Sequence, residues 1–159
     1  MSAMPSKQLL GAGQHEFVPM SPDDLDAVMV AEQRIYAFPW TRGNFDDSLS
    51  SGYSAWTMRE AGHMLGYAVM MLVLDEAHLL NISIVPESQG HGLGSVLLKY
   101  LLALAAGQGV RRLFLEVRPS NTAGRAFYQR HGFVQIGERA DYYPAPQGRE
   151  AALVLEKTL

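Results

Sequence analysis

The chain contains no cysteine among its 159 residues. Disulfide bonds and thiolate-ligated metal sites are therefore excluded. A mechanism that carries an acyl group on a cysteine is excluded as well. The five histidines are scattered without the short spacings of a metal site, so the sequence predicts no metal centre. They are His15, His63, His78, His91 and His131.

Long apolar runs are also lacking. The longest, residues 64–74, is much shorter than the ~20 residues that a membrane-spanning helix needs. The first residues lack a charged segment followed by an apolar block, so we expect a cytoplasmic protein. The net charge of −3 argues against generic binding to nucleic acid or to an anionic membrane. A basic peptide is a more natural partner, although a solvated acidic surface explains the same charge. We expect a monomer or a weak dimer.

The length suits one domain with its own core. Residues 1–13 are predicted to form a flexible tail, and residues 14–159 a single domain. Periodicity predicts strands at 16–20, 53–59, 63–74, 77–85, 112–118, 134–139 and 151–157, the last two joined by a Tyr/Pro/Gly-rich loop. Helices are predicted to start at Ser21-Pro22, at Thr41, after Gly94 and at Ser120-Asn121. This order predicts an α/β fold with a mixed sheet of about seven strands and about four helices on its two faces.

The most informative segment is Gln89-Gly90-His91-Gly92-Leu93-Gly94, between an apolar strand and an apolar helix. A glycine-rich turn that opens a helix presents free N–H groups and the positive end of the helix dipole, which suits a phosphate or pyrophosphate. The segment lacks the lysine of a P-loop and the glycine spacing of a dinucleotide fingerprint. The pattern that remains is Gln/Arg-x-x-Gly-x-Gly. A glycine-rich turn without a ligand is the alternative.

Glu116 lies in the middle of an alternating strand, on the face opposite the strand's leucines. A carboxylate there is costly to bury unless it is paired or functional, which makes Glu116 a candidate general base. A glutamate on a solvated face, or one paired with Arg112 or Arg118, is an equally open alternative. Tyr128 in the following helix is either a packing residue or an acid, and Asn121 is either a helix cap or a ligand contact.

Taken together, these positions resemble the GCN5-related N-acetyltransferase (GNAT) family. The shared order is a strand, a Gln-x-x-Gly-x-Gly loop, a helix, a strand with a central glutamate, Ser-Asn and a helix with a tyrosine. The segments Phe38-Pro39-Trp40 and Tyr142-Tyr143-Pro144 further resemble the bacterial ribosomal-protein-alanine N-acetyltransferases, over about residues 15–157. The resemblance implies a GNAT fold and acetyl transfer from acetyl-CoA to the N-terminal alanine of a ribosomal small-subunit protein.

The resemblance also implies roles for individual residues, with Glu116 as general base and Tyr128 as general acid. Backbone groups of the strand before the loop would contact the acetyl and pantetheine portions, and the loop would hold the pyrophosphate. The implied cofactor-binding residues are Ile82, Ser83, Ile84, Gln89, Gly90, His91, Gly92, Leu93, Gly94, Ser95 and Asn121. Phe38, Trp40, Tyr142 and Tyr143 are implied to wall the acceptor cleft, and anchoring of loops by buried rings is the alternative.

Two features leave the acceptor and the cofactor affinity open. In the family an arginine often follows the glutamine, whereas Gly90 stands there in this chain and removes a cation near the phosphates. The core pattern alone fits acetyltransferases that act on other protein N-termini, on lysine or on small amines. A CoA-binding module without turnover is a further alternative.

Overall fold

One mixed β-sheet forms the centre of the fold. The structure is a computed structural model that describes residues 8–10 and 15–159. The strands are β1 (Gln8–Leu10), β2 (His15–Pro19), β3 (Ser54–Glu60), β4 (His63–Val73), β5 (Glu76–Ile84), β6 (Arg112–Val117), β7 (Val134–Ala145) and β8 (Gly148–Thr158). In the order β1-β2-β3-β4-β5-β6-β8-β7, only the neighbours β5 and β6 are parallel. The predicted mixed sheet is confirmed, with β1 as an additional edge strand within the segment predicted to be a flexible tail. The rest of that segment lies outside the described residues.

Four α-helices and two short 3-10 turns flank the sheet. The helices are α1 (Leu25–Ile35), α2 (Arg42–Ser50), α3 (Leu93–Gly107) and α4 (Thr122–Arg130). Their starting points follow the predicted capping signals. The Thr41 hydroxyl, for example, accepts a hydrogen bond from the Asn44 N–H at 3.1 Å. No helix in the described part of the chain is long and apolar enough to cross a membrane.

The helices cover both faces of the sheet, as predicted. Residues of α1 and α2 pack with Tyr67 and Val69 of β4 on one face. The apolar side of α3 packs with Trp56 and Met58 of β3 on the other face, where Phe127 of α4 also contacts the core.

A β-bulge interrupts β5. Between two consecutive residues of β4, Val69 and Met70, the partner on β5 changes from Asn81 to Leu79, so that Leu80 is an extra residue. The extra residue shifts the alternation of side chains along β5. Parallel pairing of β5 with β6 extends only over the first residues of β5, before the bulge. Beyond that point the two parallel strands no longer pair, and a cleft opens between them.

The end of the chain differs from the sequence-based prediction. The prediction of a Tyr/Pro/Gly-rich loop between the last two strands is wrong, because β7 and β8 continue as a hairpin and pair as far as Ala145 and Gly148. β7 is an edge strand, and an edge tolerates Pro144 because its outer side needs no ladder hydrogen bond. The register of the pair is irregular around Asp141, whose φ is 53°. These features make an edge strand resemble a loop at the level of sequence.

Candidate active site

The cleft between β5 and β6 is a cavity of about 680 Å³. Its walls come from these two strands, from the end of α1 and the loop after it, from α4 and from β7. Several predicted site residues line it together: Phe38, Trp40, Ile82, Glu116, Asn121, Tyr128 and Tyr143. Ser83, Ile84, residues 89–95 and Tyr142 lie outside this lining. Residues 89–95 follow the end of β5 and lead into α3.

Glu116 enters the cavity from β6, and its side chain is only 9% exposed. Its Oε2 forms a hydrogen bond with Nε2 of His78 on β5. Its Oε1 lies 3.8 Å from Nε of Arg139 on β7. A solvated glutamate is therefore the wrong alternative. So is pairing with Arg112 or Arg118, because both arginines bind other glutamates.

Tyr128 reaches the same cavity from α4. Burial raises the pKa of the Tyr128 hydroxyl, and the nearby Tyr36 and Tyr143 raise it further. The hydroxyl is therefore protonated at neutral pH, as a proton donor must be. No residue in the described part of the chain forms a hydrogen bond with it, so its proton is free for a bound molecule.

The glycine-rich loop depends on backbone conformations that favour glycine. Gly90 has a φ of 81° and Gly92 a φ of 76°, both in the left-handed region. The Gln89 amide donates a hydrogen bond to the Ile84 carbonyl at 3.0 Å and ties the loop to the end of β5. Because α3 begins at Leu93, the N–H groups at its start have no acceptor within the helix.

The start of α3 packs closely against α4. A Cβ added at Gly94 would lie 3.4 Å from the Phe127 ring, which is an ordinary van der Waals distance between the two helices. The Ser95 hydroxyl and Nε2 of His131 are hydrogen-bonded at 2.9 Å. His91 is exposed in the loop. The loop and the start of α3 therefore carry backbone donors, the Ser95 hydroxyl and the exposed His91 imidazole.

Positive charge also lies near the start of α3. Burial lowers the pKa of His131, and the charges of Lys99, Arg130 and Lys157 lower it further. These three cations are therefore close to the imidazole that contacts the start of α3. The chain lacks an arginine at position 90, but Lys99, Arg130 and Lys157 supply positive charge near the start of α3.

The backbone of β5 beyond the bulge is linked to the end of α1. The Tyr36 hydroxyl donates to the Ile82 carbonyl at 3.3 Å and lies 2.6 Å from the Ser83 hydroxyl. The Ser83 hydroxyl in turn donates to Asn81 Oδ1 at 2.7 Å. Burial raises the pKa of Tyr36 to about 12, so this contact is made by the neutral phenol. The Ile84 side chain packs on the opposite, α3 side of the sheet.

Asn121 both caps α4 and lines the cavity. Its Oδ1 accepts a hydrogen bond from the Gly124 N–H at 2.9 Å. A Cβ at Gly124 would lie 2.4 Å from the Asn121 amide nitrogen, so glycine is required there. Capping fixes the orientation of the side chain, and the amide nitrogen takes no part in that hydrogen bond.

Arg118 joins the two aromatic segments that were predicted to wall the acceptor cleft. Its guanidinium lies 5.3 Å from the Phe38 ring centroid and 4.4 Å from that of Tyr143. It also donates to the Pro144 carbonyl at 2.7 Å. Tyr142 packs on Tyr143 with ring centroids 4.9 Å apart and is 41% exposed. Both segments therefore reach one end of the cleft, and Tyr142 lies on its outer side.

Glu32 of α1 is a buried carboxylate that the sequence analysis missed. It is 1% exposed and lines the cavity. It accepts hydrogen bonds from the Trp40 N–H at 3.0 Å, the Tyr67 hydroxyl at 2.7 Å and the Asn81 amide at 3.3 Å. These contacts hold the loop after α1 against β4 and β5. Its spacing of four residues from Val28, on the apolar side of the helix, is a signal that could have revealed it.

The arrangement suits acyl transfer to an amine. A carboxylate and a protonated phenol share one cleft, and the strand that forms one wall of that cleft leads towards a helix start whose free N–H groups suit an anion. Across residues 8–10 and 15–159, no cluster of three or more His, Asp or Glu side chains could hold a metal ion.

Comparison with known proteins defines the class. Residues 25–133 match the Acetyltransferase (GNAT) family. The chain belongs to this family, and it is an N-acetyltransferase. Enzymes of the family use acetyl-CoA.

Similar proteins narrow the class further. The chain is 40% identical over 132 residues to the ribosomal protein bS18-alanine N-acetyltransferase of Escherichia coli K12, covering 83% of this chain and 89% of that protein. It is 38% identical to the enzyme of the same name from Haemophilus influenzae, covering 83% and 90%.

Solved structures show the same fold. The crystal structure of the Escherichia coli ribosomal-protein-S18-alanine N-acetyltransferase superposes with a TM-score of 0.85 at 36% identity, covering 91% of this chain and 94% of that one. Arabidopsis thaliana Naa50, in complex with the bisubstrate analogue CoA-Ac-MVNAL, superposes with a TM-score of 0.79 at 17% identity, covering 91% and 99%. At 17% identity, the similarity to Naa50 shows a shared fold alone.

Proposed function

We propose that this chain acetylates the N-terminal alanine of a ribosomal small-subunit protein, the counterpart of bS18, with acetyl-CoA as donor. The observation that carries the proposal is that Glu116, Tyr128 and the aromatic wall line one cleft. The likeness to the bS18-alanine enzymes over most of both chains supports the choice of acceptor.

The residues at the start of α3 fit a pyrophosphate. The left-handed glycines, Gly90 and Gly92, leave the loop backbone open to a ligand, since a Cβ built at either position meets no atom within 4 Å. The N–H groups that open the helix then donate to phosphate oxygens. The cations near His131 add attraction for negative charge. The Asn121 amide nitrogen is the donor available to the pantetheine arm.

Glu116 would act as the general base. An α-amine has a pKa of ~7.7–8.0, so much of it is protonated and not nucleophilic at neutral pH. The Glu116 carboxylate accepts one proton from the ammonium group, directly or through water, and leaves the neutral amine. The low exposure of the carboxylate strengthens its interaction with a bound cation.

Tyr128 would act as the general acid. Bound acetyl-CoA supplies the thioester whose acetyl group is transferred to the amine. Tyr128 donates its proton to the departing sulfur, and its raised pKa keeps that proton in place beforehand. The second proton of the amine, released as the amide forms, returns to the Tyr128 phenolate. Backbone N–H groups near Ile82–Ile84 stabilise the negative charge that develops on the acetyl oxygen. Because the chain has no cysteine to carry the acetyl group, this group passes directly from acetyl-CoA to the amine.

The aromatic end of the cleft would orient the acceptor. Phe38, Trp40 and Tyr143 form an apolar wall that suits an extended N-terminus with a small first residue. The Arg118 guanidinium keeps Phe38 and Tyr143 in place. A ribosomal protein as acceptor places the reaction in the cytoplasm, and the enzyme would act as a monomer or a weak dimer.

Intact-mass analysis of peptides incubated with acetyl-CoA tests this proposal. The panel contains the N-terminal sequence of the organism's own bS18 homologue, variants that differ only at residue one, and the same peptide with a blocked N-terminus and free lysines. The expected result is one acetyl group on the peptide that begins with alanine and none on the blocked peptide. Acetylation of lysine alone would overturn the proposal. Thermal stabilisation by acetyl-CoA without acetylation of any peptide would do the same, because it indicates a binding module.

A further inference from the structure

His78 lies where the two strands of the cleft stop pairing. Its partner in the last pair of the β5–β6 ladder is Phe114. Phe114 and Glu116 lie on the same face of β6, so His78 is close to the Glu116 carboxylate across the strands. The His78 side chain is 25% exposed, whereas that of Glu116 is 9% exposed. The imidazole therefore lies on the outer side of the carboxylate.

The chemistry of the pair fixes the direction of the hydrogen bond. A general base must be an ionised carboxylate, which only accepts hydrogen bonds, so in that state the N–H of His78 Nε2 is the donor to Oε2 of Glu116. The other groups that face this carboxylate are Arg139 and Tyr143. Arg139 is beyond hydrogen-bond distance, at 3.8 Å from Oε1, and its side chain is 57% exposed. The hydrogen bond with the imidazole is thus the contact that can fix the orientation of the carboxylate.

We propose that His78 is a positioning residue that orients the Glu116 carboxylate for proton abstraction. The inference rests on the proposed role of Glu116 as general base. The hydrogen bond occupies Oε2 and restricts rotation of the carboxylate about its terminal torsion. Oε1 remains to accept the proton from the acceptor ammonium. His78 keeps its own proton throughout and does not touch the reacting atoms.

Strand pairing at His78 holds the imidazole in the position from which it contacts Glu116. The β5 bulge follows His78 by two residues, at Leu80, so the imidazole is held by the last paired residues before the cleft. His78 also pairs with Met71 of β4, so both neighbouring strands fix its backbone. A loss of the imidazole donor therefore affects the carboxylate and leaves the cavity walls in place.

The first test compares His78→Leu with His78→Gln. Leucine removes the donor, whereas glutamine keeps an N–H at a similar distance from the backbone. The expected result is that His78→Leu lowers kcat about ten-fold or more, without a comparable change in acetyl-CoA affinity, and that His78→Gln recovers most of the rate. His63→Leu is the matched control, because His63 is exposed at the start of β4. An unchanged kcat in His78→Leu, or no recovery in His78→Gln, would overturn the inference.

A double-mutant cycle separates this inference from the proposed function. If His78 acts through Glu116, His78→Leu lowers the rate of the wild type but has little further effect in a Glu116→Gln background. An equal loss in both backgrounds would show that the histidine acts independently, and the inference would fail while the proposed function stands. A wild-type rate in Glu116→Gln alone would remove the base role and, with it, the basis of the inference.

Discussion

At the scale of single residues, the two buried carboxylates of the cleft differ in the hydrogen bonds that their oxygens accept. Both oxygens of Glu32 accept hydrogen bonds from Trp40, Tyr67 and Asn81. Glu116 accepts one hydrogen bond, on Oε2, and its other oxygen has only the distant Arg139 guanidinium nearby. Glu32 therefore holds the loop after α1 in place, whereas Oε1 of Glu116 accepts no hydrogen bond within the described part of the chain, as the proposed base role requires.

Removal of the Tyr128 hydroxyl tests the proposed role of Tyr128 as general acid. Tyr128→Phe keeps the ring and its packing on Phe127 and Phe133 but removes the hydroxyl. We expect kcat to fall by about ten-fold to one-hundred-fold, with acetyl-CoA affinity nearly unchanged, because general acid catalysis typically contributes 10²–10⁴-fold and water replaces part of it. Steady-state rates by thiol release measure this. Normal turnover in the variant would show that another group protonates the sulfur.

At the scale of elements, a negative charge placed at the start of α3 tests the proposed binding of the acetyl-CoA phosphates there. Gly92→Glu brings a carboxylate to the helix start, and we expect acetyl-CoA affinity to fall at least about ten-fold, because the added charge repels the phosphates. Calorimetric titration measures the affinity.

Gly52→Glu is the matched control for that experiment. Gly52 has a φ of 75° and open space around it, like Gly92, but it follows α2. The same backbone strain is therefore introduced away from the loop, and acetyl-CoA affinity is expected to stay unchanged. Equal losses in both variants would attribute the effect to strain and contradict the loop assignment.

The contact between the loop after α1 and the β7–β8 hairpin gives the next prediction. Arg118→Met removes the guanidinium between the Phe38 and Tyr143 rings. We expect the KM of the acceptor peptide to rise about ten-fold while acetyl-CoA affinity is unchanged, because the cation–π contacts and the hydrogen bond to Pro144 are lost.

Arg112→Met is the control within the same strand. Arg112 also lies over a ring, that of Phe114 at 5.2 Å, and binds Glu76 and Glu156. It is at the opposite end of β6 from the cavity, so the peptide KM is expected to stay at the wild-type value. A rise of the same size in both variants would contradict a specific role for Arg118.

Local pattern predicted most elements but not their long-range contacts. The strands before and after the glycine-rich loop and all four helices lie within a few residues of their predicted positions, because apolar spacing and caps are local signals. Glu116 and Tyr128 could be singled out through the resemblance. The His78–Glu116 pair could not, since the partners are 38 residues apart and no local pattern reports strand splaying. The prediction of a loop in the last hairpin was wrong because Pro144, Pro146 and Gly148 are loop signals that an edge strand and its turn tolerate.

At the scale of the whole molecule, buried tyrosines make the fold sensitive to alkaline pH. Burial raises the pKa of Tyr36 and Tyr100 to about 12. Tyr67, Tyr128 and Tyr143 are raised in the same direction. In the unfolded chain a tyrosine has a pKa of ~10, so above that pH the unfolded state loses protons that the folded state retains.

The free energy of unfolding is therefore expected to fall as the pH rises from about 10 towards 12. Denaturant titrations at a series of pH values measure it. Tyr100→Phe removes one such phenol, whose hydroxyl has no hydrogen-bond partner among the described residues, and should reduce the slope by up to ~1.4 kcal/mol per pH unit. A flat profile above pH 10 would contradict this account.

The proton abstraction at Glu116 is tested most directly by Glu116→Gln. The variant keeps the shape of the side chain and removes its basicity, so acetyl-CoA affinity should match the wild type. The rate of peptide acetylation at pH 7 is expected to fall by about one-hundred-fold or more, and to recover in part at higher pH, where more of the peptide amine is already neutral. A wild-type rate at pH 7, with acetyl-CoA bound normally, would contradict the account.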